Sequence, residues 1–148
     1  MATKTAVHDV IEQFRATSNV EAGTKFEKLM VDYFWLDPTL SVEYDEVQRW
    51  PDWPHREGKH DVGIDLVARN KQSGEWTAIQ CKFYDPKHTL VKADIDSFFT
   101  ASGKSWDGIS FTNRIIISTT DKWSKNAEDA LVNQAIPVQR IGLAEIAE

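Results

Sequence analysis

Two short segments constrain this chain more than anything else in it: Gly63-Ile-Asp-Leu66 and Ile79-Gln-Cys-Lys-Phe83, separated by a polar stretch that contains glycine. Side chains alternate between the faces of a strand, and directly opposed residues of an antiparallel pair share a face. Gln80 and Lys82 therefore point one way and Ile79, Cys81 and Phe83 the other, while Ile64, Leu66 and Ala68 separate from Gly63, Asp65 and Val67. With Asn70 to Glu75 as the loop, Arg69 opposes Trp76, Asp65 opposes Gln80 and Gly63 opposes Lys82. In this register a carboxylate, an amide and an ammonium converge on one face. A slip of one residue scatters them.

The rest of the chain must supply a core for that hairpin. At 148 residues, 41% hydrophobic and 27% charged, it reads as one soluble globular domain. Residues 1–10 contain no apolar signal region, and no run approaches the ~20 apolar residues of a membrane helix, so a cytoplasmic protein is expected. Cys81 is the only cysteine, which excludes an internal disulfide, and His8, His55, His60 and His88 lack zinc-ligand spacing. The net charge of −6 and pI of about 5.2 argue against a broad basic surface. They do not exclude a nucleic-acid partner: a carboxylate site for a divalent cation is itself acidic, and another domain can deliver the substrate.

Periodicity gives the remaining elements. A short helix is expected over Val7 to Ala16, with a break at Ser18 to Gly23. A second helix, Thr24 to about Trp35, carries Phe26, Leu29, Met30, Tyr33 and Phe34 at helical spacing, with Thr24 as N-cap and Glu27 at the capping-box position. Asp37-Pro38 ends it. A strand over Ser41 to Arg49 leads into a proline-punctuated loop, Trp50 to His60, and then the hairpin. Val91 to Ser102 reads as an amphipathic helix. The run Ile115-Ile116-Ile117 within Asn113 to Thr119 predicts a central strand buried on both faces. A helix from Ser124 to Ala135 and a strand from Ile136 to Ile141 complete an α/β order of helix, three strands, helix, strand, helix, strand.

Glu27 within Gly23-Thr-Lys-Phe-Glu-Lys-Leu-Met30, then Gly63-Ile-Asp65, then Gln80-Cys-Lys82, on that element order, resembles the PD-(D/E)xK nuclease superfamily. The Gln-x-Lys variant resembles its Mrr-like restriction branch, and the likeness runs from about Thr24 to Arg140. It implies a restriction endonuclease-like core: a central mixed sheet of about five strands flanked by helices, αβββαβ plus a further helix and strand. Residues 1–23 would be an N-terminal helical extension, 24–141 the nuclease core, and 142–148 the start of a linker or helix to a following domain. The whole looks most like the N-terminal nuclease domain of type ISP restriction-modification enzymes, in which a helicase-like translocase and a methyltransferase follow on the same chain. The implied activity is Mg²⁺-dependent endonucleolytic cleavage of double-stranded DNA, with Mn²⁺ as a substitute ion. Two other readings stand beside it: an inactive nuclease fold kept for DNA or inter-domain binding, and a repair or junction-resolving nuclease.

Hydrolysing a phosphodiester requires a hard cation on the phosphate oxygen and a positioned, activated water. The resemblance makes Asp65 the principal metal ligand and sets the Gln80 amide oxygen where the family has its second carboxylate. The Cys81 backbone carbonyl becomes a further ligand, and Lys82 contacts the attacking water or the scissile phosphate. Glutamine leaves the site one charge short. Glu27, at the edge of the Phe26/Met30/Phe34 face, would restore that charge, although a capping box explains a glutamate there equally well.

Other residues carry weaker signals. Pro51-Asp52 matches the superfamily's namesake dipeptide but lies in an irregular loop and reads as turn chemistry, while Ile64 stands where a proline would precede Asp65. His60 and Asp61 suit metal or DNA contact, or simply a polar lead into the strand. Lys87, His88, Lys92 and Lys104 form a loose basic set that suits phosphate contact or solvent equally. Cys81 is read as core. Trp50, Trp53 and Trp76 either stack on bases or cover a core edge.

Overall fold

The computed structural model describes residue 13, residues 19–59, 62–85 and 87–142. The helix expected over residues 7–16 lies outside the described residues, apart from residue 13, which is helical.

Helix α1 spans Asn19–Leu36. It takes in residues 19–23 of the break expected at Ser18 to Gly23, so Thr24 is interior to the helix and not its N-cap. Glu27 is therefore no capping-box residue, and its position needs another explanation. Phe26, Met30 and Phe34 recur every four residues and are all at most 1% exposed, which is the stripe that seats α1 on the sheet. Asp37 closes the helix: its N–H donates to the Tyr33 carbonyl, and its carboxylate accepts the N–H groups of Thr39 and Leu40. Those contacts start a one-turn helix, α2 (Leu40–Glu43), in place of the first part of the expected strand.

Strands β1 (Tyr44–Arg49), β2 (Leu66–Asn70) and β3 (Trp76–Lys82) form an antiparallel meander. A parallel partner, β5 (Ile109–Ser118), follows β3, and β6 (Val138–Ile141) lies parallel on its other side. The crossover from β3 to β5 carries a 3₁₀ turn at Lys92–Asp94 and helix α3 (Asp96–Ser102). The expected helix from Val91 is split there because the Asp94 carboxylate accepts the Val91 N–H at 2.9 Å and tightens that turn. Strand β4 (Ser105–Trp106) was not foreseen: it folds back on the start of β5 through Asp107-Gly108, both at positive φ, as a two-residue hairpin requires. Helix α4 (Lys125–Ala130) is capped by the Ser124 hydroxyl and is shorter than expected; Asn133 has entered the left-handed region (φ 60°) and Pro137 lies ahead.

The result is an α/β fold with a mixed sheet in the order β1-β2-β3-β5, where β4 and β6 both pair with β5. The Ile115 to Ile117 run is buried in the middle of it, as a central strand demands. One face packs Leu66, Ala68, Ile79, Ile115 and Ile117 under α1. The other packs Val67, Ala78 and Ile116 under α3 together with Trp50, Trp53, Trp76 and Trp106. Trp50 and Trp53 are 2% and 1% exposed and their rings lie 5.3 Å apart. The loop tryptophans are thus core, not surfaces on which bases stack, and Pro51-Asp52 is part of a 3₁₀ turn. No helix among the described residues is long and apolar enough to cross a membrane.

Candidate active site

The hairpin register matches the one derived from alternation: Arg69 pairs with Trp76, Ala68 with Thr77, Val67 with Ala78 and Leu66 with Ile79. Its open end does not. β2 begins only at Leu66, because Gly63 sits at φ +100° and turns the chain. A Cβ at residue 63 would lie 2.8 Å from the Ser97 hydroxyl and 2.9 Å from the Ser97 backbone carbon, so glycine is required by conformation and by space. The backbone thereby presses against α3, and Asp65 is left at the lip of the sheet instead of within the ladder.

Backbone and side chain of Asp65 are both held there. Its N–H donates to the Ile79 carbonyl at 2.9 Å, and its carbonyl accepts the Trp50 N–H at 2.8 Å. Its carboxylate oxygen Oδ2 accepts the Cys81 N–H at 2.8 Å, where a longer β2 would have supplied a backbone carbonyl. In an extended strand the N–H and C=O of one residue address the same neighbour, so the Cys81 carbonyl faces the same gap. The carboxyl is recessed although the residue as a whole is only half-buried. Burial pushes its pKa up to about 7, and the negative charge of Glu27 adds to the rise; the Cys81 N–H, Lys82 and Arg49 oppose it.

Glu27 reaches this lip from α1. Its Oε1 accepts from Arg49 Nε at 3.2 Å and Nη2 at 3.1 Å, with both side chains about one-fifth exposed. Burial, then the charge of Asp65 and last that of Glu27, raise the Cys81 thiol well above its ordinary value, which keeps that thiol neutral. Arg49 is the functional candidate that the sequence reading missed. It ends β1, and nothing in the spacing of strand residues distinguishes it from any other strand-end arginine.

Gln80 and Lys82 lie on the α3 side of β3 by alternation, opposite to α1. Gln80 is only 2% exposed. Its Nε2 donates to the Gly63 carbonyl at 3.2 Å, tying β3 to the loop that carries Asp65. That bond fixes which end of the amide is oxygen, and Oε1 is buried without a hydrogen-bond partner among the described residues. Lys82 ends β3 half-buried, with its ammonium 6.0 Å from the centre of the Tyr84 ring.

The loose basic set is not gathered at this lip. Lys92 and Lys104 flank opposite ends of α3, and Lys92 pairs with Asp96 at 2.8 Å. Lys104 lines a cleft of about 370 Å³ with Val62, Ser97 and Trp106. Lys87 is exposed, and His88 stacks on Tyr84 with ring centres 4.1 Å apart. His60 and Asp61 fall outside the described residues. No group of three His, Cys, Asp or Glu side chains among the described residues forms a ready metal cluster. Any cation held here would need amide or backbone oxygens beside its carboxylates.

Comparison with known proteins agrees with this geometry. A restriction endonuclease family profile of the Mrr-like catalytic type matches residues 35–148. No curated protein matches the chain at a significant level. Among solved structures, the ATP-dependent type ISP restriction-modification enzyme LlaBIII bound to DNA is 30% identical with a TM-score of 0.73, over 93% of this chain and 8% of that one. The DNA modification-dependent restriction endonuclease AspBHI (15% identical, TM-score 0.63) covers 99% of this chain and 34% of its own. MspJI restriction endonuclease in complex with a 27-mer oligonucleotide (16%, TM-score 0.55) covers 99% and 30%, and these two likenesses concern the fold alone. The chain spans less than a tenth of the LlaBIII chain and about a third of the other two. On the family match, and on a mixed sheet whose hairpin opens at Asp65, the chain belongs to the Mrr-like restriction endonuclease family.

Proposed function

We propose that this chain is a metal-dependent endonuclease that hydrolyses phosphodiester bonds in duplex DNA, the cleavage module of a restriction-modification enzyme of the type ISP kind, with residues 24–141 as its core and translocase and methyltransferase domains on the same polypeptide. The observation that carries the reading is the Asp65 carboxylate. It is recessed at the lip of the sheet, takes a single backbone N–H at 2.8 Å, and has no arginine or lysine salt-bridged to it among the described residues. A carboxyl so placed is costly to ionise unless a cation shares the site.

The neighbouring donors fit that cation. Gln80 Oε1 is an orphaned buried oxygen, the Cys81 carbonyl faces the gap, and both are hard ligands of the type that Mg²⁺ and Mn²⁺ accept. When bound, the ion would withdraw charge from a phosphate oxygen and lower the pKa of a water. The protein's own residues do the positioning. Gly63 and Ser97 set the lip, Gln80 ties it to β3, and Lys82 at the strand end offers a mobile point charge to the water or the phosphate. Glu27 supplies the missing negative charge at the price of its pairing with Arg49.

That pairing is the observation favouring the second reading, an inactive fold kept for binding: a carboxylate already held by a guanidinium is poorly available to a metal. Incubating the purified protein with supercoiled plasmid and Mg²⁺, beside Asp65→Ala and Lys82→Ala, separates the two. Cleavage lost in both variants supports the nuclease. Undiminished cleavage in both removes the site assignment, and duplex binding without cleavage in the parent protein supports the relic.

A further inference from the structure

The edge that carries Lys82 does not end there. Lys82 lies opposite Ser118 across the parallel β3–β5 pair, and Ile117 lies opposite Ile141 across β5–β6. The three strands therefore present their C-terminal ends along one edge. Neighbouring strands are ~4.8 Å apart, so the end of β6 stands roughly 10 Å from the end of β3. At that place a cleft of about 110 Å³ opens between Ser118, Thr120, Asp121, Trp123 and Arg140.

The floor of the cleft is already committed to holding itself together. The Ser118 hydroxyl donates to the Thr120 carbonyl at 3.0 Å and accepts the Thr120 N–H at 3.1 Å. The Thr120 hydroxyl donates to the His88 carbonyl at 2.6 Å and accepts the Lys122 N–H at 3.2 Å. Trp123 is fixed by a bridge to Leu90, whose N–H donates to the Lys122 carbonyl and whose own carbonyl accepts from the Ser124 N–H. Over the Trp123 indole, which packs against the core, lies the Arg140 guanidinium, 4.0 Å from the ring centre. Stacking fixes the plane of an arginine without consuming its N–H donors. Among the described residues its ion pair is with Glu128 at 3.5 Å, which joins two exposed side chains and is weak in water. In a chain of net charge −6, a preset guanidinium on the edge that carries Lys82 is not explained by a generally basic surface.

We propose that the Trp123–Arg140 stack is a second phosphate subsite, which grips the DNA backbone on the same edge, roughly 10 Å from the end of the strand that carries Lys82, and so sets the register of the strand to be cut. The inference rests on the endonuclease reading above. Arg140 is a positioning residue: it holds the substrate and does not touch the reacting atoms. Asp121, on the rim of the same cleft, opposes an anion. The contact is therefore carried by the arginine alone, and neutralising Asp121 strengthens it.

The test measures anisotropy of a labelled duplex oligonucleotide over a range of salt, in the Asp65→Asn background so that the DNA survives in Mg²⁺. Arg140→Ala weakens binding about tenfold and lowers the slope of log affinity against log salt by about one. Arg140→Lys keeps the slope and loses part of the affinity. Asp121→Asn tightens binding, and Lys25→Ala on α1, where the ammonium pairs with Glu21, changes neither quantity. The salt slope is a readout that a merely structural role would not move, and Arg140→Gln repeats the charge removal should the alanine variant unfold. Unchanged affinity and slope on removing the Arg140 charge overturn the subsite and leave the nuclease reading intact. Failure of the Asp65→Asn protein to bind duplex, with no plasmid cleavage by the parent, overturns both.

Discussion

The two ends of one hairpin behave differently. At the closed end, Asn70 and Glu75 pair, the Asn70 side chain caps the N–H groups of Gln72 and Ser73, and Arg69 grips Asp45 through two bonds of 3.0 and 2.8 Å. The Arg69 charge there meets Asp45 and Glu46 near solvent. At the open end, the ladder stops early, a glycine takes a conformation other residues avoid, and a recessed carboxyl stands in for a backbone carbonyl. The same two strands thus give a regular ladder where its groups satisfy one another and an irregular lip where they do not. The strained, under-partnered end is where function is expected.

Forcing the open end to resemble the closed one should have the largest effect. Gly63→Ala puts a Cβ 2.8–2.9 Å from Ser97 atoms at φ +100°, which should cost about 3 kcal/mol by urea titration and abolish plasmid cleavage as the lip shifts. Retained cleavage at full stability would show that the lip does not depend on this contact.

Next in size is Asp65→Asn, which keeps the bond to Cys81 N–H and removes the charge. Cleavage should fall about 100-fold or more. Stability should move the other way. The parent carboxyl titrates near 3.8 when unfolded and at about 7 when folded, so between those values the native state holds the extra proton and stability falls as pH rises. Without metal, the asparagine variant should match the parent near pH 4 and exceed it by about 2–4 kcal/mol above pH 7, a range already discounted for partial exposure. Equal thermal midpoints at pH 8 would mean that the carboxyl is better solvated than its surroundings suggest.

A smaller, two-directional effect concerns the Glu27–Arg49 pair. Glu27 raises the Asp65 pKa and Arg49 lowers it, so Glu27→Gln should lower the Asp65 midpoint and Arg49→Met should raise it, followed by carboxyl NMR. Each variant should lose about 1–2 kcal/mol from breaking the half-buried pair. Shifts of the same sign in both would contradict the arrangement. If Glu27 also serves a cation, Glu27→Gln should weaken Mg²⁺ binding measured by calorimetry while Arg49→Met strengthens it.

Much of this was legible in the sequence, for identifiable reasons. Alternation and the polar loop fixed the pairing of Arg69 with Trp76, and the isoleucine run located the central strand, because both signals are set by burial within a few residues. The start of α1 lies earlier than its pattern suggests: Gly23 reads as part of a break, but tertiary packing of Ala22 and Phe26 carries the helix through it. β4 was overlooked although its Asp107-Gly108 turn is a recognised hairpin signal, since two residues of strand leave almost no alternation to see. At the lip, Asp65, Gln80 and Lys82 were visible as a motif. The conformation of Gly63 and the grip of Arg49 on Glu27 depend on residues 22 to 34 positions distant, a separation that no local pattern encodes.

The smallest effect belongs to the closed end and serves as the comparison's control. The Arg69 guanidinium holds the Asp45 carboxyl below the ordinary carboxylate range, so its stabilisation is present above about pH 4 and disappears as pH falls through the depressed value. That sign is opposite to the one at Asp65. Arg69→Ala should therefore leave cleavage unchanged, lower the thermal midpoint less than Gly63→Ala, Glu27→Gln or Arg49→Met, and converge with the parent in acid, where Asp65→Asn also converges. The two variants should then diverge in opposite directions as pH rises to neutrality. If instead Arg69→Ala reduced cleavage, the closed end would be transmitting strain along β2 to the lip, and the separation between a structural end and a reactive end of this hairpin would fail.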